Sequence, residues 1–263
     1  MLTINLFGEK GRRITMTTLE AIEKRISRRS YLNEPLDKNQ ITFLQSHINK
    51  LNKDSGLSIQ FIEDGSYAFH GFMKSYGMFH GVQSFFALVG KEDDIHLNEK
   101  VGYYGEKLVL EATKLGLGTC WVGGTYDKKH CPCTLQDHEI LVCVITVGKV
   151  EDKQTFKEKT VYKLAHRKTK PIEELYKSDV PVPDWFLQGI KAVGKAPSAV
   201  NRQPVTIRYQ SDDKITASVA SKGGYLLIDL GIAKLHFEAA AGGRFDLGNG
   251  ADYKLTSSLQ QQR

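Results

Sequence analysis

Lys195-Ala196-Pro197-Ser198-Ala199-Val200-Asn201-Arg202-Gln203-Pro204 is the stretch on which the reading of the whole chain turns. Its two prolines and the lack of an apolar period exclude a continuous helix or strand, so it is an ordered loop. An amphipathic run (Trp185, Phe186, Ile190, Val193) precedes it and a strand-like run, Val205-Thr206-Ile207-Arg208-Tyr209, follows. Most connections between two such elements are shorter and plainer. Ser198, Asn201 and Gln203 can donate and accept hydrogen bonds, while Lys195 and Arg202 add positive charge. That chemistry suits a polar, partly anionic ligand with carbonyls and ring nitrogens. The alternative is a loop whose Ser and Asn side chains cap its own backbone.

Working outward, Thr17 is an N-cap candidate for a helix carrying Leu19, Ile22 and Ile26 on one face. That helix runs out at Ser27-Arg28-Arg29-Ser30, shortly before Pro35. Guanidinium forks beside a serine hydroxyl match phosphate oxygens; two arginines turned to helix carbonyls and solvent are the alternative. A second helix is expected from Asp37 to Leu51, and strands over Leu57–Ile62 and Val82–Val89. Tyr67, Phe69, Phe72, Tyr76 and Phe79 lie between those strands, covering a ligand or packing a core. The strongest helical stripe spans Val101 to Leu115 and stops at Gly116-Leu117-Gly118. It leads into Thr119-Cys120-Trp121-Val122-Gly123-Gly124, whose paired glycines either admit a planar ligand close to backbone amides or form a tight turn. Leu141–Gly148 reads as a buried strand, and the polar stretch from Asp152 to Lys170, with Arg167 and Lys168 near its end, as a connecting arm.

Composition bounds the class. The 263 residues, 41% hydrophobic and 25% charged, suit a globular protein of one large or two modest domains. A net charge of +6 raises nucleic acid as a partner, but the basic residues are scattered without a block or aromatic stripe, so none is expected. A basic cleft for a phosphorylated small molecule accounts for the charge equally well. No apolar run approaches the roughly 20 residues of a membrane span, so no membrane association is expected. Cys120, Cys131, Cys133 and Cys143 crowd into one interval, unlike a secreted disulfide framework, and the protein reads as cytoplasmic. His130-Cys131-Pro132-Cys133 lacks zinc-finger spacing, so no metal is expected.

Short matches recur in common order. Phe43-Leu44-Gln45 returns as Phe186-Leu187-Gln188, and Glu111-Ala112 with Gly116 returns as Glu238-Ala239 with Gly243. An internal duplication follows: residues 1–15 a leader, 16–170 a first half, 171–183 a proline-bearing linker, and 184–263 a shorter second half. The two halves are unlike where it matters. Arg28-Arg29-Ser30 has no counterpart in the second, and the Ala196–Pro204 loop has none in the first.

Taken together, Arg28-Arg29-Ser30, the Ala196–Pro204 run and Gly116-Leu117-Gly118-Thr119-Cys120-Trp121-Val122-Gly123 resemble the FMN-dependent nitroreductase family. More narrowly, the chain looks like its single-chain branch with two tandem halves. Gly102-Tyr103-Tyr104-Gly105-Glu106 and Ile228-Asp229-Leu230-Gly231 are similar to that branch as well, so the likeness spans nearly the whole chain. The resemblance implies an α+β fold, an internally duplicated pseudo-dimer with central antiparallel and mixed sheets flanked by helices. It implies FMN in the groove between halves, reduced by NADH or NADPH and reoxidised in a ping-pong cycle by a small nitroaromatic or quinone-like acceptor. Arg28, Arg29 and Ser30 would hold the phosphate, with Arg167 and Lys168 nearby. Pro197, Ser198, Ala199 and Asn201 would line ring and ribityl from across the seam, and Val122, Gly123 and Gly124 would lie beside the ring. One site per monomeric chain is implied, and no catalytic side chain. A flavin-binding or degenerate member without turnover is the alternative.

Overall fold

The structure, a computed structural model, describes residues 16–69, 78–156, 158–160, 168–212, 214–221 and 223–255. Its first helix begins where the sequence signals it. The Thr17 hydroxyl accepts from the Glu20 amide at 3.2 Å, and the Glu20 carboxylate accepts from the Thr17 amide at 2.7 Å. This reciprocal box satisfies two amides that would otherwise lack partners, and α1 runs Thr18–Lys24.

The first unit continues with α2 (Lys38–Ser55), β1 (Gln60–Ile62), β2 (Ser84–Lys91), α3 (Leu97–Lys114), β3 (Gly118–Val122) and β4 (Glu139–Gly148). Gly116, at φ 77°, provides the left-handed residue that turns the chain out of α3 toward β3. The four strands form an antiparallel sheet in the order β1-β2-β4-β3. β2 is buried on both faces until its last residue, so it reads as a continuous apolar run rather than an alternation.

The second unit holds β5 (Tyr176–Ser178), α4 (Asp184–Lys195), β6 (Thr206–Ser211), β7 (Lys214–Ser218), α5 (Leu226–Ala241), β8 (Gly243–Phe245) and β9 (Tyr253–Leu255). β5 lies in the stretch expected as a plain linker; it pairs parallel with β6 and joins the second unit's sheet. β6 pairs antiparallel with β7, β8 pairs antiparallel with β9, and the Thr216–Asp252 bridge ties β7 to the residue before β9. From α4 onward the element order repeats that from α2 onward, and the lateral order β6-β7-β9-β8 parallels β1-β2-β4-β3.

The units meet where α3 crosses α5. Residues Ile228–Glu238 of α5 are buried on every side, as expected for a helix between two cores. A Cβ built on Gly102 would fall on the carbonyl oxygen of Ile228, and one built on Gly231 on that of Glu99. The contact is reciprocal: each partner lies 129 residues from its counterpart, since 231 − 102 and 228 − 99 agree. Such mutual packing is what a twofold relation produces. Polar groups line the same seam. The Lys234 ammonium donates to Glu99 at 2.5 Å and to the carbonyls of Asp246 and Gly248 at 2.8 Å, using all three of its protons.

Candidate active site

The chain leaving α1 runs beside β3, because the Arg28 amide donates to the Thr119 carbonyl at 2.8 Å and Ser27 bridges Thr119. This brings the Arg-Arg-Ser motif to the end of the first sheet. There a cavity of about 270 Å³ opens between the two units. Arg29 lines it from one side, and Val122, Gly123 and Gly124 line it from the end of β3. Pro197, Ser198, Ala199 and Asn201 line it from the second unit. Eight of the twelve expected site residues thus share one cleft. Trp121, Tyr225 and Asp229 also face it.

The loop after α4 is both self-capped and part of the cleft wall. Ser198 Oγ accepts from the Gln203 amide at 2.9 Å, while Lys170 donates its amide to Gln203 Oε1 at 2.8 Å and its ammonium to the Gln203 carbonyl at 2.9 Å. Within this frame Val200, Asn201 and Gln203 adopt φ of 46°, 52° and 45°. For a β-branched valine that backbone is strained, a state the surrounding bonds must enforce. Asp229, in the first turn of α5, accepts from the Ala199 amide at 3.1 Å. Burial pushes its carboxyl up to about 7, against the lowering effects of that amide and of Arg202. A carboxylate set directly among Leu226, Leu227, Ile228 and Leu230 was the signal in the sequence that could have marked it.

Of the Arg28-Arg29-Ser30 run, Arg29 alone is in the cleft lining. Arg28 does not line the cleft; it is buried and its Nε donates to Glu158 Oε1 at 3.1 Å. Its remaining nitrogens reach the carbonyls of Glu151 at 2.8 Å and Lys153 at 3.5 Å. The same Glu158 carboxylate accepts the amides of Arg29 at 2.8 Å, Ser30 at 3.0 Å and Thr155 at 2.8 Å. Ser30 Oγ lies 3.4 Å from Thr155 Oγ1. Burial raises the Glu158 carboxyl, but the amides and the Arg28 guanidinium outweigh it and hold the group below its ordinary value. The donors that suit an anion are present, and a carboxylate of the chain fills them. Lys168 is exposed and outside the cleft lining, and Arg167 lies outside the described residues.

At the ring end a Cβ on Gly123 would fall on the Tyr225 ring, so a flat group already lies against that glycine. The Trp121 indole has room because Gly105 faces it, and its Nε1 donates to Glu106 Oε2 at 2.9 Å. Glu106 Oε1 in turn contacts His236 Nε2 at 3.0 Å across the seam. Of the aromatic residues between β1 and β2, Phe69 packs in the core against Phe79, Phe85 and Tyr126. Phe79 reaches the cleft, Tyr67 is exposed, and Phe72 and Tyr76 lie outside the described residues. The cysteines are free, and among the described residues no three His, Cys, Asp or Glu side chains group as metal ligands. Burial pushes the Cys143 thiol up to about 12, which keeps it protonated in the cleft wall.

FMN needs a flat slot and an anion grip. The ring end fits on the chemistry of its lining: glycine backbone against an aromatic face, polar loop groups opposite, and Arg29 as a cation. The grip has the right donors but holds Glu158.

A family model described as "Putative TM nitroreductase" matches residues 17–241. No curated protein sequence matches the chain. A crystal structure of a "putative nitroreductase" from Thermotoga maritima superimposes with a TM-score of 0.61 at 20% identity, covering 95% of this chain and 97% of that one. A "putative nitroreductase in complex with FMN" from Desulfovibrio desulfuricans gives 0.47 at 15% identity, over 63% of this chain and 98% of that one. A "Putative NADH Oxidase" from Clostridium acetobutylicum gives 0.41 at 21% identity, over 51% and 89%. No helix among the described residues is long and apolar enough to cross a membrane. With its α+β architecture and a family match over most of its length, the chain belongs to the nitroreductase family of oxidoreductases.

Proposed function

We propose that this protein is an FMN-dependent oxidoreductase that takes electrons from NADH or NADPH and reduces a nitroaromatic or quinone-like acceptor in the same cleft. The observation that carries this reading is the cleft itself. Val122–Gly124 of one unit and Pro197–Asn201 of the other face a single space, with Arg29 between them. The repeated element order and the reciprocal glycine contact support an internally duplicated chain acting as a monomeric pseudo-dimer. Scattered basic residues support a small-molecule partner rather than nucleic acid, and four free thiols support a reducing, cytoplasmic setting.

A bound flavin supplies the hydride chemistry, and the protein supplies orientation and electrostatics. The glycines after β3 carry no side chain of their own, so backbone amides can meet a flat ring there once the Tyr225 ring moves off Gly123. Arg29 supplies positive charge where a reduced ring carries negative charge. The loop at Ser198–Asn201 is fixed by Asp229 and Lys170 before any ligand arrives, so its polar groups are already oriented. Arg28 and Ser30 complete an anion grip beside this slot.

The absorbance spectrum of the purified protein tests the reading. A yellow protein that NADH or NADPH bleaches, and whose colour an acceptor restores, is the expected result. A colourless protein that takes up no added flavin rejects it. A degenerate member of the family without turnover is the second reading, favoured by the Glu158 carboxylate in the grip; weak flavin uptake with no bleaching by NADH or NADPH selects it.

A further inference from the structure

We infer that Glu158 is a built-in competitor for the anion grip, so that a phosphate monoester binds Arg28, Arg29 and Ser30 only by displacing the protein's own carboxylate. Three backbone amides and the Arg28 guanidinium converge on this one group, at distances between 2.8 and 3.1 Å. That is a dense donor set for a single monoanion, and it matches what a phosphate needs: amides on several oxygens and a fork from arginine. Glu158 also closes a local box with Thr155, whose hydroxyl accepts the Glu158 amide at 3.1 Å. A capping role alone requires only the Thr155 amide. It does not account for the contacts to Arg28, Arg29 and Ser30, more than a hundred residues away in sequence.

How the competitor is attached shows why it can yield. Among the described residues from 151 to 160, Glu158 is the one buried side chain; Phe156 is 86% exposed. These described residues are held to the first unit by charge and hydrogen bonds. A phosphate carrying close to two negative charges, set against the Arg28 guanidinium and the amides of Arg29 and Ser30, replaces a monoanion with a stronger partner. The carboxylate then returns to water on an exposed turn. The grip therefore discriminates weakly against ligands that lack phosphate as long as Glu158 is present.

The anion competition stands on the geometry of the grip, whereas its consequence for flavin rests on the function proposed above. Two arms keep these apart. Thermal unfolding of wild type, Glu158→Ala and Glu158→Gln with inorganic phosphate, against chloride at equal ionic strength, reads the grip directly. Phosphate is expected to bind Glu158→Ala at least about tenfold more tightly than wild type, and an added Arg28→Ala is expected to abolish that gain. If Glu158→Ala does not fold, Glu158→Gln keeps the shape without the charge and is expected to shift the same way. Equal phosphate binding by wild type and the variants overturns the inference, leaving Glu158 as a helix cap and ion-pair partner. In the second arm, fluorescence titration compares FMN with riboflavin. Wild type is expected to bind them within about threefold of each other, and Glu158→Ala to prefer FMN by about tenfold. A strong FMN preference already present in wild type, unchanged by Glu158→Ala, also overturns it. Phosphate binding by Glu158→Ala with no uptake of either flavin upholds the competitor and removes the flavin reading.

Discussion

The units from α2 to β4 and from α4 to β9 run through the same order of elements, yet they treat matched positions in opposite ways. In the register set by the reciprocal glycine contact, Lys234 of α5 corresponds to Gly105 of α3, and Asp229 to Lys100. Lys234 is buried and holds the turn after β8 by its carbonyls, so that strand end is consumed by the scaffold. Gly105 leaves a gap filled by the Trp121 indole, and the end of β3 stays available to the cleft. Lys100 pairs with Asp94 at 2.6 Å near the surface, whereas Asp229 is buried against the cleft. Two units with the same order of elements thus line one cleft from different sides.

Removing Lys234 should break this division of labour most severely. Lys234→Met leaves Glu99 buried with its 2.5 Å partner gone and takes the ammonium donor from the Asp246 and Gly248 carbonyls, of which Gly248 keeps the Ala251 amide. Orphaning one member of a buried pair costs about 3–5 kcal/mol, read as a lower urea midpoint. A loss below about 1 kcal/mol would mean that the pair is replaceable by apolar packing and that the contrast with Gly105 has no energetic weight.

Next in size are Gly102→Ala and Gly231→Ala. Each added methyl meets a backbone carbonyl that cannot step aside without parting the helices. Overpacking of about 1–3 kcal/mol is expected in each, net of the modest gain in helix propensity. Because the contact is reciprocal, the two losses should be similar. A large loss at one position and none at the other would show that the two sides of the seam are not equivalent.

A pH-dependent effect is expected from the Asp229 carboxyl. Its folded value near 7 lies above the ordinary 3.8, so the unfolded chain releases this proton first. The group's contribution is complete below 3.8 and is lost as pH rises toward 7, at up to about 1.4 kcal/mol per pH unit. Asp229→Asn keeps an acceptor for the Ala199 amide and removes the titration. Its stability relative to wild type should therefore climb through that window and level off above it. Parallel pH profiles for the two proteins would place the titration elsewhere.

The residues themselves explain what the sequence disclosed. Thr17 and Glu20 mark the start of α1 because a capping box is local, and α3 is legible because one of its faces is apolar and Gly116 ends it. The meeting of Gly123 with Asn201 is not local; only the resemblance of their motifs to a known family placed them together. Glu158 was hidden for a related reason. It stands in a polar stretch where nothing in the one-dimensional pattern says which carboxylate folds back on Arg28. β5 escaped because Pro171, Pro181 and Pro183 dominate its surroundings, while its three residues pair with a strand some thirty positions away.

The slightest effect on stability, and the sharpest test of the cleft floor, is expected from Gly123→Ala set beside Gly105→Ala. At Gly105 a methyl would lie 2.5 Å from the Trp121 indole, which is held by Glu106 and cannot leave without losing that bond. At Gly123 the methyl meets the ring of Tyr225, which is 43% exposed and free to swing outward, and the backbone there needs no left-handed conformation. Gly105→Ala should therefore cost about 1–3 kcal/mol of stability, and Gly123→Ala about 0.5 kcal/mol or less. Flavin binding should rank them differently. A methyl on Gly123 raises the floor on which a flat ring would rest, so fluorescence titration should show a weaker complex in a protein of nearly unchanged stability. If Gly123→Ala lowers the urea midpoint as much as Gly105→Ala does, the glycine is structural and Tyr225 belongs to the packing. If it changes neither stability nor flavin binding, a ring does not rest on this strand end, and the two units differ there for a reason other than ligand access.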